Sequence, residues 1–153
     1  MARVVASGNT VDHRQPGYFQ VLMRRVREAG VEDRFLSVGT VPYLDLVALM
    51  AGSVAVINPS RFEGWSTTVE EAKSLGKTVL LSDLRVHREQ APPRGHYFAP
   101  DDADGLLGAT GADPPEVVPG DEVARAVEEY RAADVPDARP DDRVPAVTLS
   151  PDE

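Results

Sequence analysis

The sequence predicts an α/β fold: a single Rossmann-like open parallel sheet with helices on both faces over residues 1–109, followed by a mostly disordered acidic tail over 110–153. Three observations carry this. Short apolar runs alternate with segments whose apolar residues recur at helical spacing, the pattern of strands linked by crossover helices. Gly and Pro stand at the ends of these segments, where chain reversals are expected. At about residue 110 the composition changes: residues 110–153 hold 7 of the 13 prolines and 12 of the 25 acidic residues, against 4 of the 16 basic ones.

Taken in order, Arg3 to Ala6 reads as a first strand, opening into the turn Ser7-Gly8-Asn9-Thr10. Asp12, His13 and Arg14 follow in a loop with no further chemical partner in view, so a solvated role is expected. From Gly17 to Ala29, Phe19, Leu22, Met23 and Val26 form a helical stripe opposite Arg24, Arg25, Arg27 and Glu28, and Gly30 supplies the stop. Arg34 to Val38 is the next strand, and Gly39-Thr40-Val41-Pro42 its exit loop. Tyr43 to Ala51 is a short helix ended by Gly52, and Val54-Ala-Val-Ile57 the central strand. Asn58 to Gly64 is a loop, after which Ser66, Thr67 and Thr68 can cap a helix, with Glu70 placed for a capping box from Thr67. Thr78 to Leu81 is a short bounded apolar run, as in a strand covered on both faces. Leu84 to Gln90 is a polar surface turn or helix, His96 to Phe98 a last strand, and Asp101 to Leu107 a brief helix. In the tail, Asp121 to Ala133 has one helical face of Val123, Ala126, Val127 and Tyr130. The remainder carries too little apolar surface to offset about 1 to 2 kcal/mol per residue of backbone ordering, and is expected to be mobile.

A length of 153 residues suits one domain. The net charge of -9 belongs to the tail, since residues 1–109 hold 13 acids and 12 bases. Near-neutrality of the folded part gives no electrostatic footprint for nucleic acid and leaves room for a locally held phosphate. The chain has no Cys and hence neither a disulfide framework nor a thiolate metal site. No signal-peptide run and no membrane-length apolar run appears, which points to a cytoplasmic location. His13, His87 and His96 lack metal-ligand spacing. Neither G-x-G-x-x-G nor the P-loop motif occurs, and Ser7-Gly8-Asn9 and Asn58-Pro59 stand where a phosphoacceptor domain would need acidic residues.

The chemistry concentrates after the central strand. A loop entering a helix at the carboxyl edge of a parallel sheet presents unpaired N–H groups and a positive helix end, which favours an anionic ligand. Pro59-Ser60, Glu63-Gly64, Glu71-Ala72, Gly76 and Ser82-Asp83 together resemble the donor-binding signature of family 4 retaining glycosyltransferases. In these two-domain enzymes the signature lies in the carboxyl-terminal domain. Glu63 and Glu71 stand with seven residues between them, as the family's two glutamates do. Glu63 to Lys73 and Val86 to Pro92 are similar to a bacterial branch of that family, and the resemblance extends from about Val4 to Leu107.

The resemblance implies a nucleotide-diphosphate sugar as substrate, with no further cofactor and no metal. It makes Glu71 the ribose-binding glutamate, where the alternative is a capping role, and Glu63 a contact to the donor sugar's hydroxyls, where the alternative is an ordinary loop carboxylate. Backbone N–H groups at Gly64, Trp65, Ser66 and Thr67 are candidates for phosphate or sugar oxygens. Trp65, the sole Trp, either walls the sugar pocket or packs locally. Gly8 is a simple turn residue or part of a second ligand-facing loop. No residue is assigned as catalytic with certainty. Arg88 and Glu89 are expected in structural ion pairs or at the surface.

Complete members of the family also have a preceding strand and loop with basic residues for the diphosphate, and an amino-terminal domain holding the acceptor. None is found in this sequence. Two functions therefore stand: the donor half of a retaining glycosyltransferase that needs a separate amino-terminal half, or a truncated, non-catalytic nucleotide-binding module or relic. An epimerase of the same architecture fits the two-glutamate spelling less well. Without a preceding strand, Arg3 to Ala6 is expected to expose a strand edge and promote self-association.

Overall fold

A computed structural model describes residues 3–11, 13, 15–111 and 146–150. Asp12, Arg14 and the helix expected over 121–133 lie outside the described residues. Five strands and five helices alternate: β1 (Arg3–Ser7), α1 (Tyr18–Glu28), β2 (Phe35–Gly39), α2 (Tyr43–Gly52), β3 (Ala55–Asn58), α3 (Thr67–Ser74), β4 (Val79–Ser82), α4 (Arg85–Gln90), β5 (Gly95–Phe98) and α5 (Ala103–Gly111). A further strand, β6 (Ala146–Ser150), completes one sheet of order β2-β1-β6-β3-β4-β5.

The centre of the sheet explains the burial. Every residue of β3 and β4 is buried. Alternate side chains point to opposite faces. Val56, Val79 and Leu81 pack with Leu46 and Met50 of α2 and with Val69 and Ala72 of α3. Ala55, Ile57, Leu80 and Phe98 form a second cluster against which Leu106 of α5 packs. Helices thus cover both faces, and β3–β4, β4–β5 and β1–β2 all pair in parallel, as an open doubly wound sheet requires. Leu46, Val47, Met50 and Ala51 are the buried residues of α2, and α3 closes on Gly76 at φ +63, where a side chain would be strained. The N–H groups of Gly76 and Lys77 return to the carbonyls of Lys73 and Ala72, a Schellman-type end that aims the chain back into β4.

Three expectations are corrected. The tail is not mobile throughout: Ala146 to Ser150 runs through the middle of the sheet, antiparallel to both β1 and β3. Ladders on both sides supply hydrogen bonds that a count of apolar residues overlooks. For the same reason β1 has no free edge; Val5 pairs with Leu36 on one side and Thr148 on the other, and the outer strand on this side of the sheet, among the described residues, is β2. Finally, α4 is a surface helix, exposed at Arg85, Arg88 and Glu89, but it is not polar surface all round, because His87 and Gln90 are buried on its inner face. No described helix is long and apolar enough to cross a membrane.

Candidate functional site

The carboxyl ends of β3 and β4 support the loop that carries most of the candidate residues. Asn58 ends β3, and its amide faces both halves of that loop: Oδ1 accepts from the Ser60 N–H at 3.2 Å, and Nδ2 donates to Ser66 Oγ at 2.9 Å. Ser82, at the end of β4, donates through Oγ to the Ser60 carbonyl at 2.5 Å, with the Asn58 carbonyl at 3.4 Å. His87 of α4 lies 2.7 Å through Nδ1 from the Ser82 carbonyl, so that nitrogen carries the proton. Its Nε2 is buried with no hydrogen-bond partner among the described residues.

Gln90 grips the loop at its far end. This side chain is 3 % exposed; its Nε2 donates to the Ser66 carbonyl at 2.8 Å and to Glu70 Oε1 at 2.9 Å, while Oε1 accepts from the Ser66 N–H at 3.4 Å. Lys73 ties the same corner, donating to the Gln90 carbonyl at 2.7 Å and pairing with Glu70 at 3.0 Å. Satisfied buried amides and hydroxyls fix a backbone path that apolar contacts alone leave loose.

Ser66, 4 % exposed, is the N-cap of α3, its Oγ accepting from the Val69 N–H. The capping box expected between Thr67 and Glu70 therefore does not form; the cap lies one residue earlier and Glu70 turns to Gln90 and Lys73. Ser66 has its hydroxyl in the cap and its N–H on Gln90. Thr67 and Thr68 are the first two residues of α3, whose N–H groups an α-helix does not itself satisfy.

Glu63, Gly64, Trp65, Ser66 and Thr67 lie together in this loop and cap. Glu63 is half-buried and accepts from Ser60 Oγ at 3.1 Å. Trp65 is 56 % exposed and Phe62 more so. A Cβ built on Gly64 would meet nothing within 4 Å, so the protein itself does not demand glycine there. Glu71 is 6 % exposed on the inward face of α3, with Cβ directed toward the amino end of the helix. Gly8 stands apart, at the end of β1. Its φ of 136° favours glycine, and its N–H donates to the Gly39 carbonyl at 2.9 Å. Because β6 lies between β1 and β3, Gly8 and the β3 loop are two strand spacings apart, about 10 Å.

The nearby cations are committed. Arg61 pairs with Asp101, Arg85 with Glu89, and Arg88 with Asp83 while stacking on Tyr97 at 3.8 Å. Arg88 and Glu89 are thus in ion pairs, as expected. The hydrogen bond from Arg88 holds the Asp83 carboxyl below its ordinary range and raises the Arg88 pKa. Lys77 is buried with its ammonium on the Ala51 carbonyl, and burial, then the nearby Arg94, pushes its pKa down. Sequence reasoning gave no role of their own to Asn58, Ser60, Ser82, His87 and Gln90, although Ser60 and Ser82 stand in the signature and His87 and Gln90 in the family-like stretch Val86 to Pro92. Their signal would have been polarity at positions that the strand and helix periods turn inward.

Comparison with known proteins supplies the class to which this sheet edge, with its capped helix and inward glutamate, belongs. Residues 2–108 match the family model of glycosyl transferases group 1, and the chain belongs to that family. Among solved structures it is similar to sucrose-phosphate synthase from Thermosynechococcus elongatus, with 21% identity and a TM-score of 0.63. That match covers 84% of this chain and 35% of that one, so the chain spans about a third of the length of its structural relative. No curated protein matches.

Proposed function

We propose that the chain is the donor-binding part of a retaining glycosyltransferase, holding a nucleotide-diphosphate sugar at the carboxyl edge of β3 for transfer to an acceptor held by an amino-terminal half. The observation that carries this is the placement of Glu71. A carboxylate on the buried face of the first turns of α3 is oriented by the helix and can accept both hydroxyls of a ribose. Glu63 and the exposed Trp65 flank the sugar, with Gly64 leaving room for close approach, and the N–H groups of Thr67 and Thr68 face the phosphates. Gly8 borders the same edge. The substrate needs no metal or further cofactor, and the reading places the protein in the cytoplasm.

The need for a second half follows from electrostatics. A departing diphosphate is stabilised by aimed cationic or N–H donors, and the described basic side chains around this loop are already paired. The path of β6 favours a second reading, a non-catalytic binding module, because the strand separates Gly8 from the β3 loop. Trp65 offers the test. Its fluorescence should change saturably with a nucleotide sugar and remain unchanged with the free sugar; no response to any of GDP-, UDP- or ADP-hexose would overturn the donor reading.

A further inference from the structure

Ser60 is held at both of its backbone groups. Its N–H donates to Asn58 Oδ1 at 3.2 Å, at the end of β3, and its carbonyl accepts from Ser82 Oγ at 2.5 Å, at the end of β4. These two supports are themselves tied down. Asn58 donates through Nδ2 to Ser66 Oγ, and the Ser82 carbonyl accepts from His87 Nδ1 of α4 at 2.7 Å. Ser60 is 8% exposed, so both bonds are made away from water and fix the residue between the two strand ends. From this fixed point its hydroxyl donates to Glu63 Oε2 at 3.1 Å. The residues between them turn outward: Arg61 pairs with Asp101 at 2.6 Å, and Phe62 is 82% exposed.

We propose that Ser60 is a positioning residue for Glu63: its hydroxyl holds one carboxylate oxygen, Oε2, and so sets the other to accept a hydroxyl of the donor's sugar. This rests on the reading of Glu63 as a contact to that sugar. A glutamate on a loop has several rotamers, and ordering it only when the ligand arrives subtracts from affinity. Here a hydrogen bond to a carboxylate, one of the stronger kinds, orders it beforehand. At 3.1 Å the bond is longer than the roughly 2.5 to 2.7 Å usual for a hydroxyl on a carboxylate, and it can shorten as the site fills. Glu71 is placed by α3 instead, so separate devices orient the two ends of the donor. Ser60 acts through Glu63 and makes no contact with the ligand.

The test compares each nucleotide with its sugar ester: GDP with GDP-mannose, UDP with UDP-glucose and ADP with ADP-glucose. Each is titrated calorimetrically into wild type, S60A, E63A and the double variant, with circular dichroism to show that every chain is folded. The quantity read is the gain in affinity that the sugar adds to its nucleotide. S60A should cut that gain about fivefold in the wild-type background and leave it unchanged in the E63A background, because a residue acting through Glu63 then has nothing to act on. Ser82→Ala, which removes the hydroxyl on the Ser60 carbonyl, should lower the gain in the same direction and serves as the second variant if S60A does not fold. A gain that is equal in wild type and S60A, or an S60A effect that persists in full in E63A, would overturn the proposal and leave the donor reading standing. A nucleotide that binds wild type without any gain from its sugar would remove Glu63 from the sugar and the proposal with it, while Glu71 keeps its role. Failure of all six ligands to bind wild type would overturn both.

Discussion

Replacing Gln90 by alanine removes an amide that holds both backbone groups of Ser66, the residue from which α3 starts. Three hydrogen bonds disappear: one accepted from the Ser66 N–H, one donated to the Ser66 carbonyl and one donated to Glu70. Glu70 keeps Lys73, so its loss is small. The Ser66 groups are 4 % exposed, and each buried group left without a partner costs about 1 to 3 kcal/mol. Water entering the vacated volume recovers part of that, giving a net loss of about 2 to 4 kcal/mol. At roughly 4 °C per kcal/mol for a chain of this size, the melting temperature should fall by about 10 °C. Thermal and urea unfolding followed by circular dichroism measure it. A Q90A chain that melts within about 2 °C of wild type, at the same scale, would refute the claim that this amide fixes the loop.

Other expectations follow from the same geometry. Gly64→Ala should leave the urea midpoint unchanged, because a Cβ there meets nothing within 4 Å, yet weaken nucleotide-sugar binding if the ligand approaches the loop backbone. Ending the chain after Pro145 removes β6, the strand through which β1 and β3 are joined; unfolding should lose cooperativity, with β1, α1 and β2 exchanging amide hydrogens ahead of β3 and β4. Asp83 has its pKa lowered in the folded state, so its contribution to stability is present above its unfolded value near 3.8 and is lost as pH falls through the lower, folded value. Asp83→Asn should therefore show a shallower loss of urea stability below pH 4 than wild type.

The sheet was legible where one kind of pattern sufficed. Val54 to Ile57 and Thr78 to Leu81 are apolar runs bounded by loops, and both proved buried on two faces. The stripes in α1 and α2 follow the helical period. What the pattern hid was polar burial. His87 and Gln90 read as surface residues because imidazole and amide are ordinarily exposed, yet both fold inward to satisfy backbone groups of β4 and of the Ser66 cap. The fate of Ala146-Val-Thr-Leu-Ser150 was hidden for a different reason: pairing between segments more than a hundred residues apart has no local signature. Of the candidate site, the loop and the cap region were visible from residue type and spacing, whereas the cap residue itself moved from Thr67 to Ser66 because Asn58 and Gln90, distant in sequence, both reach it.

The central claim is that Glu71 belongs to an intact nucleotide site, and a calorimetric titration of the purified chain with GDP, UDP and ADP, repeated with Glu71→Ala, tests it most directly. One of the three nucleotides should bind and lose about 1 to 3 kcal/mol of affinity in the variant, the cost of hydrogen-bonding groups left without their partner. Binding that is the same in both chains would place the nucleotide elsewhere, and no binding of any of the three would contradict the account.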